Sequence, residues 1–195
     1  MLISDLDTPS VIVDLDIMDQ NLSRMADYCR EHRLLLRPHT KTHKIPELAK
    51  RQIAGGATGI TVAKLSEAEV MLDAGITDIL IAYPIVGLTK TTRLARLAEQ
   101  ASITVSLDSE EVARGISEAA TREGTKIAVL IEIDVGFERC GLGRETDITA
   151  LASKIAELHG LEFKGLMFFP GHFSVPPEER AAMRSEVNDF FEANS

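Results

Sequence analysis

The chain has 195 residues, 45% hydrophobic and 26% charged, with a formal net charge of −9. That composition belongs to a globular domain with a sizeable core, and its acidic balance argues against nucleic acid or an anionic membrane as partner, since both attract positive patches. Residues 1–7 show neither the basic nor the apolar region of a secretory leader, and no apolar run nears the roughly 20 residues of a membrane helix. Cys29 and Cys140 match no disulfide or metal spacing, so the expected class is a cytoplasmic α/β protein.

β-Branched residues at 10–14 predict a short strand near Ile12. A helical pattern follows over 15–33, with Leu15, Met18, Leu22, Met25 and Ala26 on one face. Leu34-Leu35-Leu36 reads as a buried strand stopped by Pro38. A helix over 45–53 ends at Gly55-Gly56, and 58–63 is a strand. Ser66-x-x-Glu69 reads as a capping box opening a helix that runs to Gly75. The alternation then repeats: strand 78–83 stopped by Pro84, helix 89–100, strand 103–107. Asp108-x-x-Glu111 resembles another capped start, of a helix ended by Gly124. Strand 126–134 leads into a glycine-rich segment over 135–143. Helix 147–159, strand 163–169 and the turn Pro170-Gly171-His172 follow. Pro176-Pro177 opens a last helix with Met183, Val187, Phe190 and Phe191 as its apolar stripe.

Strands apolar on both faces and separated by helices imply a parallel sheet covered on both sides. Two architectures satisfy right-handed βα crossovers in series: an open doubly wound sheet or a (β/α)8 barrel. The first βα turn lacks G-x-G-x-x-G, which favours the barrel. Six barrel strands are expected, near Leu35, Ile60, Ile79, Ile103, Ala128 and Leu166. A full barrel takes eight strands and about 250 residues, so the expectation is an incomplete one. A complete six-stranded open sheet is the alternative.

In a barrel the reactive groups gather at the strand C-termini. After the first barrel strand comes Arg37-Pro38-His39-Thr40-Lys41-Thr42-His43-Lys44, a crowd of basic groups in an acidic chain. Neighbouring cations disfavour an ammonium, the condition for an imine-forming or general-base lysine. His39 and His43 lack the glutamate of H-E-x-x-H, and Pro38 disfavours a helix through them. No G-x-S-x-G occurs, so serine hydrolase chemistry has no support. A second constellation runs from Glu132 to Gly143. Its glycines allow close backbone approach to a flat or anionic ligand, and Arg139 could reach a phenolate, carboxylate or phosphate. Met167 to His172 ends a third strand, while Lys64 and Tyr83 end two others on the same rim.

With these residues in hand, the chain resembles one family. Asp7-Thr8-Pro9-Ser10, the 37–44 segment, Ala63-Lys64-Leu65-Ser66-Glu67-Ala68-Glu69, Ala82-Tyr83-Pro84, Asp134 to Gly141 and Gly165 to His172 carry the match. It is to the D-threonine aldolase and D-serine dehydratase family. These are fold-type III enzymes that use pyridoxal 5′-phosphate on an alanine racemase-type barrel. The resemblance covers nearly the whole chain. It implies that Lys41 forms the Schiff base with the cofactor and that Arg139 faces the cofactor from the fifth barrel strand. The expected cofactor-binding residues are Lys41, His39, Arg139, Tyr83, Phe169 and Gly171. The expected catalytic ones are Lys41, His43 and His172, either histidine being able to move the proton. The reaction implied is that of a lyase on a D-β-hydroxy amino acid, by Cα–Cβ cleavage or by dehydration, the protein choosing which bond breaks.

Two departures qualify the match. Many relatives carry tyrosine where this chain has Phe169, and relatives continue well beyond Ser195. The resemblance therefore implies a (β/α)8 TIM-type barrel of the alanine racemase type, lacking its last two strands, whose loops hold the cofactor phosphate, and lacking a C-terminal β-domain. In full-length relatives that domain carries His and Cys or Asp ligands for a divalent metal; none is expected here. The strand near Ile12 would pair with that domain. Residues 1–33 are expected to lead into the barrel and 34–195 to form its partial ring. The expected partner is a small D-amino acid, and the full-length form is expected to be a homodimer. Weak or no turnover is expected of the 195 residues alone. Two other readings compete: a non-catalytic pyridoxal-phosphate-binding module or racemase-like protein, and an unrelated barrel using Lys41 as a base or imine former on a sugar phosphate.

Overall fold

The computed structural model of the chain describes residues 2–143, 147–171 and 176–193. Among these, β1 (Ile60–Val62), β2 (Asp78–Ile81), β3 (Ser102–Leu107), β4 (Ile127–Ile133) and β5 (Leu161–Phe168) form one parallel sheet in the order 1-2-3-4-5. Each strand lies beside the next in sequence, without the reversal of order that marks a doubly wound sheet. This is the arc of a barrel. Helices α3 (Leu65–Asp73), α4 (Leu88–Ala98), α5 (Glu110–Arg122) and α6 (Ile148–Ala156) make the crossovers between successive strands. Helices α1 (Leu15–Glu31) and α2 (Pro46–Ala54) precede the sheet, and α7 (Pro177–Ala193) follows it. No helix among the described residues is long and apolar enough to cross a membrane.

The two faces of the arc differ. On the face packed by helices, Ile60, Val62, Ile79, Ile81, Val105, Ile127, Val129 and Ile131 are fully buried against Leu65, Met71, Leu94, Ile116 and Ile155. Each such side chain contributes about 1.5–3 kcal/mol on burial, so this layer drives the fold. The register places Thr61, Leu80, Thr104 and Ala128 in one row of the other, concave face. That face is mixed rather than wholly apolar, carrying Thr61 and Thr104 beside Leu80 and Ala128, so the expectation of strands apolar on both sides is corrected.

Further corrections concern elements. Residues 10–13 are extended but enter no strand; Val11 is 99% exposed, because β-branched residues give a strand only where a partner supplies hydrogen bonds. The strand expected at 34–36 is hydrogen-bonded to the N-terminal side of β1 through Leu36 O and Pro38 O, yet only the His39–Thr61 bridge has ladder geometry. Pro38 has no N–H to give, which breaks the ladder there. The capping box at Ser66 is absent: α3 begins two residues earlier than that box would start it, with Lys64 at its cap. Likewise Ser109, not Asp108, caps α5 by accepting from Val112 N. The apolar stripe expected at Met183, Val187, Phe190 and Phe191 falls on side chains outside those described.

Candidate active site at the C-terminal rim of the sheet

Two loops carry the side chains of interest. The first leaves the edge of β1. Thr40 is buried, and both its N–H and its hydroxyl donate to Thr61 O, at 2.8 and 3.2 Å. Four residues on, Lys44 N–H donates to Thr40 O at 2.8 Å, closing a tight turn that presents Lys41 at the rim. Lys44 takes a left-handed backbone (φ 55°) and its ammonium donates to Glu67. Glu67 is itself buried, and its second oxygen accepts from Ala63 N at 2.9 Å. Burial works against its ionisation, but the Lys44 ammonium and the Ala63 amide outweigh it and hold the carboxyl below its ordinary value.

The basic crowd is looser than adjacency in sequence suggests. Arg37 turns to the start of β2 and grips Asp78 with two hydrogen bonds of 2.8 and 3.1 Å. Lys44 has Glu67. Two of the cations expected to crowd Lys41 therefore carry their own counter-ions, Asp78 and Glu67. His39 is half-buried and accepts Lys41 N–H on Nδ1 at 3.3 Å. Burial first, and the Lys41 charge second, lower its pKa, so the neutral ring is favoured. His43 accepts Ile45 N–H on Nδ1 at 3.0 Å, and its buried Nε2 has no partner among the described residues.

The second loop leaves β4. Asp134 Oδ1 accepts the N–H groups of Gly136, Phe137 and Glu138 at 2.9, 2.9 and 3.0 Å, winding the chain into a turn. Leu142 returns to pair with Glu132 O and Asp134 N. At Gly141 (φ +105°) a Cβ would lie 2.7 Å from Asp134 N, so the return needs glycine. Below the loop Glu132 is 1% exposed. Its Oε1 accepts from Cys140 Sγ at 3.0 Å and lies 3.7 Å from Arg139, while Oε2 has no partner among the described residues. Burial, then the bond to Glu132, raise the Cys140 thiol above its ordinary value, which argues against a nucleophilic role.

The two loops meet over one ring. Phe169, just past β5, has Lys41 Nζ 5.7 Å and Arg139 Cζ 4.4 Å from its centroid. Phe137 stands edge-on to it at 5.7 Å and also lies under Arg139. Gly171 makes room for this pair, since a Cβ there would sit 2.5 Å from Phe169 Cε1. Of the expected site residues, Lys41, Arg139, Phe169 and Gly171 are thus brought together, with His39 bonded to the Lys41 backbone. Tyr83 is exposed beyond β2 and joins none of these contacts. His172 lies outside the described residues. Among the described residues no group of three or more His, Cys, Asp or Glu side chains could hold a metal. Sequence reasoning missed Glu67 and Phe137. The signal for Glu67 was an acid beside Ala68 and Leu65 on the apolar face of α3.

A parallel β/α arc with polar side chains gathered past the strand C-termini is the arrangement of TIM-type barrel enzymes. The chain belongs to the family described as alanine racemase, N-terminal domain, whose model matches residues 13–194. It is 41% identical over 182 residues to a D-threonine aldolase from Arthrobacter sp, covering 93% of this chain and 48% of that protein. The crystal structure of D-threonine aldolase from Filomicrobium marinum superposes with a TM-score of 0.92 at 42% identity, over 96% of this chain and 52% of that one. D-threo-3-hydroxyaspartate dehydratase from Delftia sp. HT23 matches with a TM-score of 0.75 and 31% identity, over 96% and 52%. The chain therefore spans about half the length of the curated relatives it matches.

Proposed function

We propose that this chain is the N-terminal barrel portion of a pyridoxal-phosphate-dependent lyase acting on D-β-hydroxy amino acids, with Lys41 as the amine that holds the cofactor. The single observation that carries the reading is the shared ring: Lys41, beside β1, and Arg139, after β4, lie over Phe169 at 5.7 and 4.4 Å. The donor set suits a planar, anionic, aromatic aldehyde. It offers a primary amine, a guanidinium for a phenolate, and two flat apolar rings. Lys41 and Arg139 would hold the group, with Phe169 and Phe137 as its walls and Gly171 leaving them room. When bound, pyridoxal phosphate supplies an electron sink for the charge that develops at a substrate α-carbon.

The remaining work falls to side chains. Arg139, anchored toward Glu132, keeps positive charge at the mouth of the arc. His39 favours its neutral form and so could accept a proton beside Lys41. His43 offers a second imidazole three residues from Thr40, with His172 a third on the segment after β5. The two aromatic rings, each about two-fifths exposed, offer one flat apolar side to the mouth. Relatives named as aldolases and as a dehydratase both support action on a small β-hydroxy amino acid. A partner copy, as in a homodimer, and a divalent metal are expectations for the longer form.

The test is direct. Purified chain is titrated with pyridoxal phosphate, reduced with borohydride, digested and mapped by mass spectrometry. The expected outcome is a reduced adduct on the peptide containing Lys41 that disappears in Lys41→Ala. Adducts spread evenly over surface lysines, unaffected by Lys41→Ala, would refute the assignment. Turnover of added D-threonine or D-3-hydroxyaspartate with a divalent cation would then exclude a non-catalytic binding module.

A further inference from the structure

We propose that Glu67 is a positioning residue for Lys41, its buried carboxylate closing a clasp that holds the lysine-bearing turn against the end of β1. Lys41 sits in a five-residue turn fixed at both ends. At the first end, Thr40 is 1% exposed and gives both its donors to Thr61 O. At the far end, Lys44 has a left-handed backbone and a side chain that reaches back across the gap to Glu67. Glu67 divides its oxygens: one takes the Lys44 ammonium, the other the Ala63 amide where β1 ends. The carboxylate thus ties the turn, the strand end and the first turn of α3 at one point.

A simpler role would be that of an acid at the start of α3, where the helix dipole and the Ala63 amide favour negative charge. That role explains the bond to Ala63 but not the bond to Lys44, nor the left-handed residue three positions from Lys41. A carboxylate only 8% exposed also adds nothing to the surface charge of an already acidic chain. The position is held by its two partners.

The proposal rests on Lys41 being the cofactor amine, and its test has an arm that needs no cofactor. Amide hydrogen exchange is measured on the whole chain for the unaltered protein, Glu67→Gln, Lys44→Gln, the double variant and Lys44→Arg. Glutamine at 67 keeps an acceptor for Ala63 N–H while removing the charge that holds Lys44. The expected result is exchange about tenfold faster at the hydrogen-bonded amides of Thr40, Lys41 and Lys44 in either single variant, the factor that loss of one charge-assisted hydrogen bond gives. Ala63 stays protected in both. The double variant exchanges no faster than either single one, because both remove the same interaction, and Lys44→Arg retains protection. A merely structural role for Glu67 would not be mirrored by Lys44→Gln, whose side chain is 55% exposed.

The second arm compares borohydride-trapped pyridoxal phosphate at Lys41 with that at exposed Lys90 on α4 in the same samples, since Lys64 itself feels the Glu67 charge. Glu67→Gln is expected to lower the ratio about tenfold, by the same reasoning. Unchanged exchange at the Thr40, Lys41 and Lys44 amides in Lys44→Gln overturns the clasp whether or not Glu67→Gln folds, and multiplying effects in a folded double variant overturn it as well. If exchange behaves as expected but the unaltered chain traps no cofactor at Lys41, the clasp stands and the functional reading falls.

Discussion

The two loops that meet over Phe169 are held by different physics. The Lys41 turn is pinned by buried hydrogen bonds and an ion pair, through Thr40 at one end and Lys44 with Glu67 at the other. The Arg139 loop is wound by three amides converging on Asp134 Oδ1 and closed by backbone pairing at Leu142, with glycine where no side chain fits. One loop depends on side-chain charge, the other on backbone shape. The aromatic ring between them is the contact shared by the lysine and arginine heads. Loops held so differently are expected to fail under different insults.

The largest effect is expected from shape. Gly141→Val places a Cβ against Asp134 N in a left-handed backbone and is expected to cost about 3 kcal/mol. Calorimetry would read this as a melting temperature lower by about 6–12 °C for a chain of this size. If the variant melts like the parent, the backbone account of the second loop is wrong. Next comes the bridge. Phe169→Leu removes one edge-on ring pair and the face shared by two cations, for an expected loss of about 1.5 kcal/mol. It is also expected to uncouple the loops, so that Phe169→Leu and Glu67→Gln add where each alone perturbs trapping at Lys41.

Thr40→Val is nearly isosteric and deletes only the hydroxyl bond to Thr61 O, a loss of about 1 kcal/mol seen in denaturant midpoints. The smallest effect is also the most diagnostic, because pH separates the loops. His39 and Glu67 both bind a proton less readily folded than unfolded, so the stability they confer is lost as pH falls. The loss begins below about 6.5 for His39 and continues below about 4.5 for Glu67. Cys140 is raised, so the unfolded chain loses its thiol proton first and stability falls as pH climbs past about 9.0. Melting curves against pH should therefore decline on the acid side through the first loop and on the alkaline side through the second. Glu110 of α5, held low by Lys154 and Arg114, adds to the acid limb. Glu67→Gln is expected to flatten the acid limb and Cys140→Ser the alkaline one; the reverse pattern would contradict the assignment.

Much of this was legible in the chain itself. The alternation of apolar runs with glycine and proline stops marked nearly every strand and helix to within a few residues, because hydrophobic period and turn chemistry are local. The strand-end rule then drew attention to Lys41, Arg139 and Phe169. It misjudged Arg37, whose guanidinium goes to Asp78 some forty residues away, and it passed over Glu67 in favour of a capping box that does not form. The reason is the same in both cases. A charged side chain reveals its type in the sequence but not its partner, and the partner sets whether it is a free cation or a spent one.

Residues 10–13 make the complementary point. Their β-branched character is real, yet a strand is a relation between two segments, and Val11 stays exposed without one. The amino-acid order by itself determined the βα alternation, the apolar layer and which rim carries the polar groups, since each depends on neighbours within a few residues. Only the tertiary structure decided that Lys41 and Arg139 share one ring and that Glu67 reaches Lys44. Those are contacts between segments 23 to about 130 residues apart, and distance along a chain carries no information about distance in space until the sheet has curved.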